Sequence, residues 1–278
     1  MKFLSVKNLL VILVIISAGL VLAQLTSPKA RGGAAASVAQ PNSGNPGFAV
    51  VELFTSEGCS SCPPADALLG EILKDAQQSN RPIYPIAFHI DYWDQLGWRD
   101  PFSTQQASIR QGEYARALNS TEVYTPQMIV NGRVEFIGSD KARAQQEIDA
   151  ALSQPAKIVL ALQPSKDSSN QLSIGFTLND EAAGNVLNVI AVERGLVVSI
   201  PRGENGGRTL HHDNVARAFA RLVLTRDRTG KISLTLPAGI NEKNTSLIGF
   251  VQDPSSLQIL GATGAQIPTV ATTQPAKQ

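Results

Sequence analysis

The sequence predicts an α/β domain, a mixed sheet flanked by helices, followed by an antiparallel β-sandwich-like domain. Three observations predict it. Residues 48–154 read strand, helix, strand, helix, hairpin, helix, the order that one mixed sheet with helices on both faces requires. After Pro155 the texture changes to short alternating strands separated by turn signals. A composition of 43% hydrophobic and 17% charged residues over 278 positions belongs to a chain that buries a core.

Residues 1–23 carry Lys2 and Lys7, an apolar run from Leu9 to Ala23 and a small residue where a signal peptidase cuts, so they are expected to be a signal peptide. Counted through Leu25, the run reaches the low limit for a membrane span, and an uncleaved N-terminal anchor is the alternative. Residues 24–47 are small, polar and broken by Pro and Gly, the composition of a flexible linker. Residues 263–278 have the same character and are expected to be a disordered tail. The expected protein is therefore exported, periplasmic or secreted, with no membrane contact beyond the leading segment.

Within 48–154, Phe48 to Thr55 is a short apolar run suited to a buried strand. "PPADALLGEILKDA" places Ala67, Leu68, Ile72 and Leu73 on one helical face, with Pro63 and Pro64 in the first turn. "IYPIAFHI", residues 83–90, is a second buried strand; Asp100 and Pro101 then open a helix reaching about Leu118. "PQMIV" and "RVEFI" flank Asn131-Gly132, a pair favoured in two-residue hairpin turns, and Ser139 is placed to cap a helix ending near Leu152. From 155 to 262 the strands are "KIVLAL", "QLSIGFTL" with Leu172, Ile174, Phe176 and Leu178 alternating, "NVLNVIAVE", "RLVLT", "KISLTL" and "SLIGFV".

The formal charge of +1, or −1 without Lys2 and Lys7, gives no reason to expect a nucleic-acid partner. No phosphate loop, Ser-His-Asp order or zinc-protease spacing is present, and nothing calls for a nucleotide or flavin cofactor.

The chemistry concentrates in "CSSC". Cys59 and Cys62 are the only cysteines, so an exported chain has one disulfide to make. Placed between a strand and a helix, the first sulfur meets unpaired N–H groups and the positive end of the helix dipole, which stabilise a thiolate. Cys59 then reads as the nucleophile and Cys62, one turn into the helix and more covered, as the resolving thiol. Two other readings stay open: a small structural staple, and a cuprous site formed by Cys59, Cys62 and His89.

The strand-CSSC-helix unit together with "VYTPQMIVNG" resembles the thioredoxin superfamily. More closely, "VELFTSEGCSSCPPADALL", "AFHIDYWDQLGWRDPF" and "VYTPQMIVNG" resemble the bacterial secreted family known as domain of unknown function 1223, over about residues 48–261. The resemblance implies a thioredoxin-like fold for 48–154, a cis Pro126, and backbone at Thr125 that pairs with an extended substrate beside Cys59. It departs from the thioredoxins proper at Leu53, where they carry a buried Asp; Glu52, one step away, faces the other side of the strand. The Ser-Ser between the cysteines does not set a redox direction.

Trp93 and Trp98 lie in an aromatic insertion at the carboxyl end of the second strand, where an open α/β sheet binds ligands, and are read either as a substrate wall or as packing. His89 is read as a hydrogen-bonded core residue or as a ligand. "RGENGGRTLHHDNVARAF" offers Arg202, Glu204, Arg208, His211, His212, Asp213 and Asn214 as a polar or metal site, or as a hairpin whose side chains satisfy one another. The function expected is thiol-disulfide exchange or redox sensing, with a protein or a small thiol or disulfide as partner. A partner-binding module with a structural disulfide is the rival.

Overall fold

The computed structural model describes residues 45–120, 122–166 and 170–268, all within one compact unit. The expected signal peptide, nearly all of the linker, and the end of the tail lie outside these residues.

The first half follows the expected order. Strand β1 (Ala49–Thr55) leads through the cysteine turn to helix α1 (Pro63–Ser79), then β2 (Ile83–His89) and α2 (Gln105–Ala117). The hairpin β3 (Gln127–Val130) and β4 (Val134–Ile137) precedes α3 (Lys141–Leu152). Two helix starts move. The α2 cap is Thr104, whose side chain accepts the Ala107 amide, and the α3 cap is Asp140, which accepts the Arg143 amide. Asp100 and Ser139 both lie too early, because several polar residues stand before each helix and local sequence does not rank them. The hairpin turn holds three residues, with Val130 paired to Val134, and Asn131 and Gly132 both take positive φ.

β1 and β2 run parallel and β3 is antiparallel to β1, so the sheet is mixed. Alternation along β1 sends Val51 and Leu53 toward α1 and α3, and Val50 and Phe54 toward α2. Helices therefore cover both faces.

The second half contributes β5 (Leu160–Lys166), β6 (Gln171–Leu178), β7 (Val186–Glu193), β8 (Leu196–Ser199), β9 (Thr209–His212), β10 (Val215–Val223), β11 (Thr229–Thr235), β12 (Thr245–Gln252) and β13 (Ile259–Gln266). The sheet does not stop at residue 155. Strands β13, β12, β7 and β10 continue it in the order β13-β12-β7-β10-β2-β1-β3-β4. The junction is β10 on β2, through Val215 beside Ala87 and the Ala87 amide on the Asn214 carbonyl at 2.9 Å. Without it, β2 would expose a row of unpaired backbone groups. β11-β6-β5 forms a second sheet, whose Leu172, Ile174 and Ile232 pack with Val189, Ala191 and Leu247 of the large one. The β8-β9 hairpin stands apart and packs against α1. The last strand runs through Gln266, four residues into the expected tail, because β12 supplies it a full ladder.

Candidate functional site

Cys59 and Cys62 form a disulfide at the start of α1. Cys62 is the N-cap residue rather than lying a turn inside, and Cys59 sits in the preceding turn, its amide bonded to the Ser56 carbonyl at 3.2 Å. Both sulfurs are covered, Cys59 at 1% exposure and Cys62 at 0%, so the expected contrast in accessibility is absent; Ser60 and Ser61 between them are exposed. The Ser61 hydroxyl lies 3.3 Å from Cys59 Sγ.

The Thr125–Pro126 bond is cis, and the Thr125 carbonyl oxygen lies 3.9 Å from Cys59 Sγ. The indole of Trp93 donates to Thr125 Oγ1 at 2.9 Å, and its Cβ crowds the space beside Gly58. Trp98 donates its indole N–H to Glu57 Oε2 at 2.7 Å and presses on Gly203, whose φ of +82° and missing Cβ allow the approach. Cys59, Cys62, Thr125, Pro126, Trp93 and Trp98 are thus brought around one point. The two tryptophans are half-buried, each packing against the cysteine turn or the β8–β9 loop.

The turn is covered by the loop joining β8 to β9. Asn205, fully buried, donates through its side-chain amide to the carbonyls of Glu57 and Cys59 at 2.8 and 2.9 Å, and Glu204 accepts the Ser60 amide at 3.0 Å. Of the polar stretch read as a possible site, His212 alone of its two histidines turns inward, its Nε2 meeting Glu57 Oε1 at 3.1 Å. His211 faces out, as adjacent strand residues must, so the metal site through both histidines and Asp213 is not assembled.

Beneath the turn lies a second layer of buried charge. His89 and Thr55 are register partners at the carboxyl ends of β2 and β1, on the α1 face. His89 Nδ1 meets Asp100 Oδ2 at 2.6 Å, and the same oxygen accepts the Glu57 amide at 2.9 Å. Burial works against the charged forms of both partners, yet their mutual attraction outweighs it: the His89 value is raised and the Asp100 value lowered. The rings of His89 and His212 lie edge to face at 4.9 Å, with Phe102 against both. Asp66, one turn beyond Cys62 on α1, puts Oδ2 3.8 Å from His212 Nδ1, and burial raises its carboxyl above the ordinary range.

Among the described residues, no group of three or more His, Cys, Asp or Glu side chains is arranged to hold a metal ion. The two sulfurs that the cuprous reading needs are bonded to each other, and His89 turns Nδ1 to Asp100. Glu57, Asp66 and Asn205 were not legible as site residues.

Comparison with known proteins gives a family. The model for "Protein of unknown function (DUF1223)" matches residues 50–252, and the chain belongs to that family. A crystal structure of an Agrobacterium tumefaciens protein is similar over 82% of this chain and 97% of its own, with a TM-score of 0.60 and 24% identity, which establishes a shared fold. A domain of the outer membrane lipoprotein Omp28 from Porphyromonas gingivalis gives a TM-score of 0.26 at 12% identity, over 40% of this chain and 96% of its own. No curated protein matches. No helix of the described residues is long and apolar enough to cross a membrane.

Proposed function

We propose that this is an exported protein that exchanges or senses disulfides through Cys59 and Cys62. The observation that carries the reading is a Cys-x-x-Cys disulfide at the start of a helix with the carbonyl before a cis-proline 3.9 Å from the first sulfur. It supports a thioredoxin-like first half, with the three-stranded sheet and the strands it covers as the sandwich-like remainder.

Cys59 is the nucleophile, since it precedes the helix whose N–H groups and dipole favour its thiolate. It attacks a substrate disulfide, forming a mixed disulfide and releasing one substrate thiolate; Cys62 then attacks Cys59 Sγ, closing the internal bond and releasing the second. Backbone at Thr125 beside cis-Pro126 pairs with an extended substrate segment, and Trp93, Trp98 and the exposed Leu96 form its apolar wall. The substrate is a protein or a small thiol or disulfide. The test is Cys62→Ala in an extract of exported proteins. Covalent adducts on Cys59, absent from the Cys59→Ala, Cys62→Ala double variant, are expected; an empty trap overturns the reading.

One observation favours a second reading. Both sulfurs are buried and Asn205 holds the Cys59 backbone from the second half of the chain. A structural disulfide bracing a partner-binding module accounts for that, and predicts an unreactive Cys59.

A further inference from the structure

Four buried side-chain atoms below the disulfide, Thr55 Oγ1, Asp66 Oδ1, His89 Nε2 and His212 Nδ1, have no hydrogen-bond partner among the described residues. They come from four separate elements, β1, α1, β2 and β9, yet belong to one cluster. Thr55 and His89 are register partners, His89 and His212 touch ring to ring, and His212 Nδ1 faces Asp66. The four residues are each at most 7% exposed. A buried polar atom left unpaired costs about 1–3 kcal/mol, so four in one place are not incidental to packing.

We infer that this cluster holds the proton that the disulfide needs when it opens, with Asp66 as its seat. The inference rests on the dithiol reading above. Asp66 follows Cys62 by four residues on α1, which puts the two on one helical face, and its amide bonds the Cys62 carbonyl at 3.1 Å. The groups facing Asp66 are His212 from β9, Thr55 from β1, His89 from β2 and Asp100 from the aromatic insertion, with Glu57 of the cysteine turn on the far side of His212. His212 is tied to Glu57 and His89 to Asp100, so each imidazole already has a carboxylate. Asp66 is the acid left over, and burial favours its neutral form.

A thiolate of a dithiol reductant attacks Cys59 Sγ and bonds to it; the Cys59–Cys62 bond breaks, and its electron pair leaves on Cys62 Sγ. Cys62 takes the Asp66 proton, leaving a carboxylate beside His212. The second thiolate of the reductant then displaces Cys59 and closes its own disulfide. On reoxidation the Cys62 thiol returns its proton to Asp66 as it becomes nucleophilic. His212, carried by the second half, thereby places that half in contact with the redox state of the first.

Dithiothreitol reduction of the full chain, followed by alkylation and mass from about pH 4 to 8, tests this. Divided by the reagent's thiolate fraction, the wild-type rate falls as pH rises through the Asp66 titration. Asp66→Asn removes the fall and slows opening about tenfold or more at the acid end; Asp66→Glu keeps the fall. An Asp66→Asn profile superimposable on wild type overturns the inference and leaves the dithiol reading intact. A wild type that resists dithiothreitol throughout overturns both. Should Asp66→Asn not fold, the Asp66 carboxyl carbon resonance in wild type decides. A change from neutral to ionised on reduction supports the inference, and an unchanged resonance overturns it.

Discussion

Two buried polar networks lie on opposite faces of the same strand pair, and they are built differently. On the α2 face, Glu52 accepts Arg110 Nε at 2.5 Å, Arg110 Nη2 at 2.9 Å and the Tyr114 hydroxyl at 2.5 Å. Gln252 of β12 accepts Arg110 Nη1 and donates to Tyr114 and the Leu257 carbonyl, and the guanidinium lies against Phe88, Tyr114, Phe219 and Phe250. Burial works against the Arg110 charge, but the Glu52 carboxylate beside it outweighs that and holds the guanidinium protonated. On the α1 face, below the disulfide, two histidines, three carboxylates and the Thr55 hydroxyl leave four atoms unpaired. Apart from Asn188 Oδ1 at its margin beside Gln252, the first network is paired throughout and fixes two halves of a fold in register; one left open in several places keeps a place for a proton. The first is architecture and the second is where chemistry is to be sought.

The largest effect is expected on the saturated face. Glu52→Ala leaves the Arg110 charge buried and uncompensated, and urea unfolding should show a loss of about 3–5 kcal/mol. A loss below about 1 kcal/mol would remove the contrast, since the network would then be holding nothing.

Next is Asp100→Asn, which cuts the His89 pair and weakens the hold on the Glu57 amide, at a cost of about 1–3 kcal/mol. Its sign with pH is fixed. Asp100 is lowered, so its contribution is present above its unfolded value of 3.8 and fades as pH falls through the folded one. His89 is raised, so its contribution is full below 6.5 and fades as pH rises through the folded one. Urea midpoints of wild type minus variant should therefore peak between these limits; a flat difference would show that the pair is not ionised.

The smallest effect belongs to Asp66→Asn, within about 1 kcal/mol. Because the Asp66 value is raised, the native state keeps a proton that the unfolded chain releases above 3.8, and wild-type stability declines as pH rises from there through the folded value. The variant should lose that decline. If it does not, Asp66 is not the neutral acid of the cluster.

Local pattern made the first half legible. The apolar run of Phe48–Thr55, the spacing of Leu68 and Ile72, and the Asn131-Gly132 pair act within a few residues, and the cysteine turn, Thr125 and Pro126 stand on those elements. The cluster was hidden because its partners are remote. Glu57 and His212 are 155 residues apart, Cys59 and Asn205 146, and nothing near Glu57 or Asp66 marks either as buried. The continuation of the sheet was hidden for the same reason: β10 reads locally as an ordinary antiparallel strand, and only the open edge of β2 makes Val215 its neighbour. His212 did stand in a singled-out stretch, but strand alternation, rather than composition, separates it from His211.

Whether the Cys59–Cys62 pair works as a dithiol is tested most directly by equilibrating the purified protein across a glutathione series, with alkylation read by mass. A reduction potential between about −270 and −120 mV, with Cys59 alkylating readily in the reduced protein, is the predicted result. A potential below about −300 mV with an unreactive Cys59 would contradict it, and would make the pair a brace beneath a binding surface.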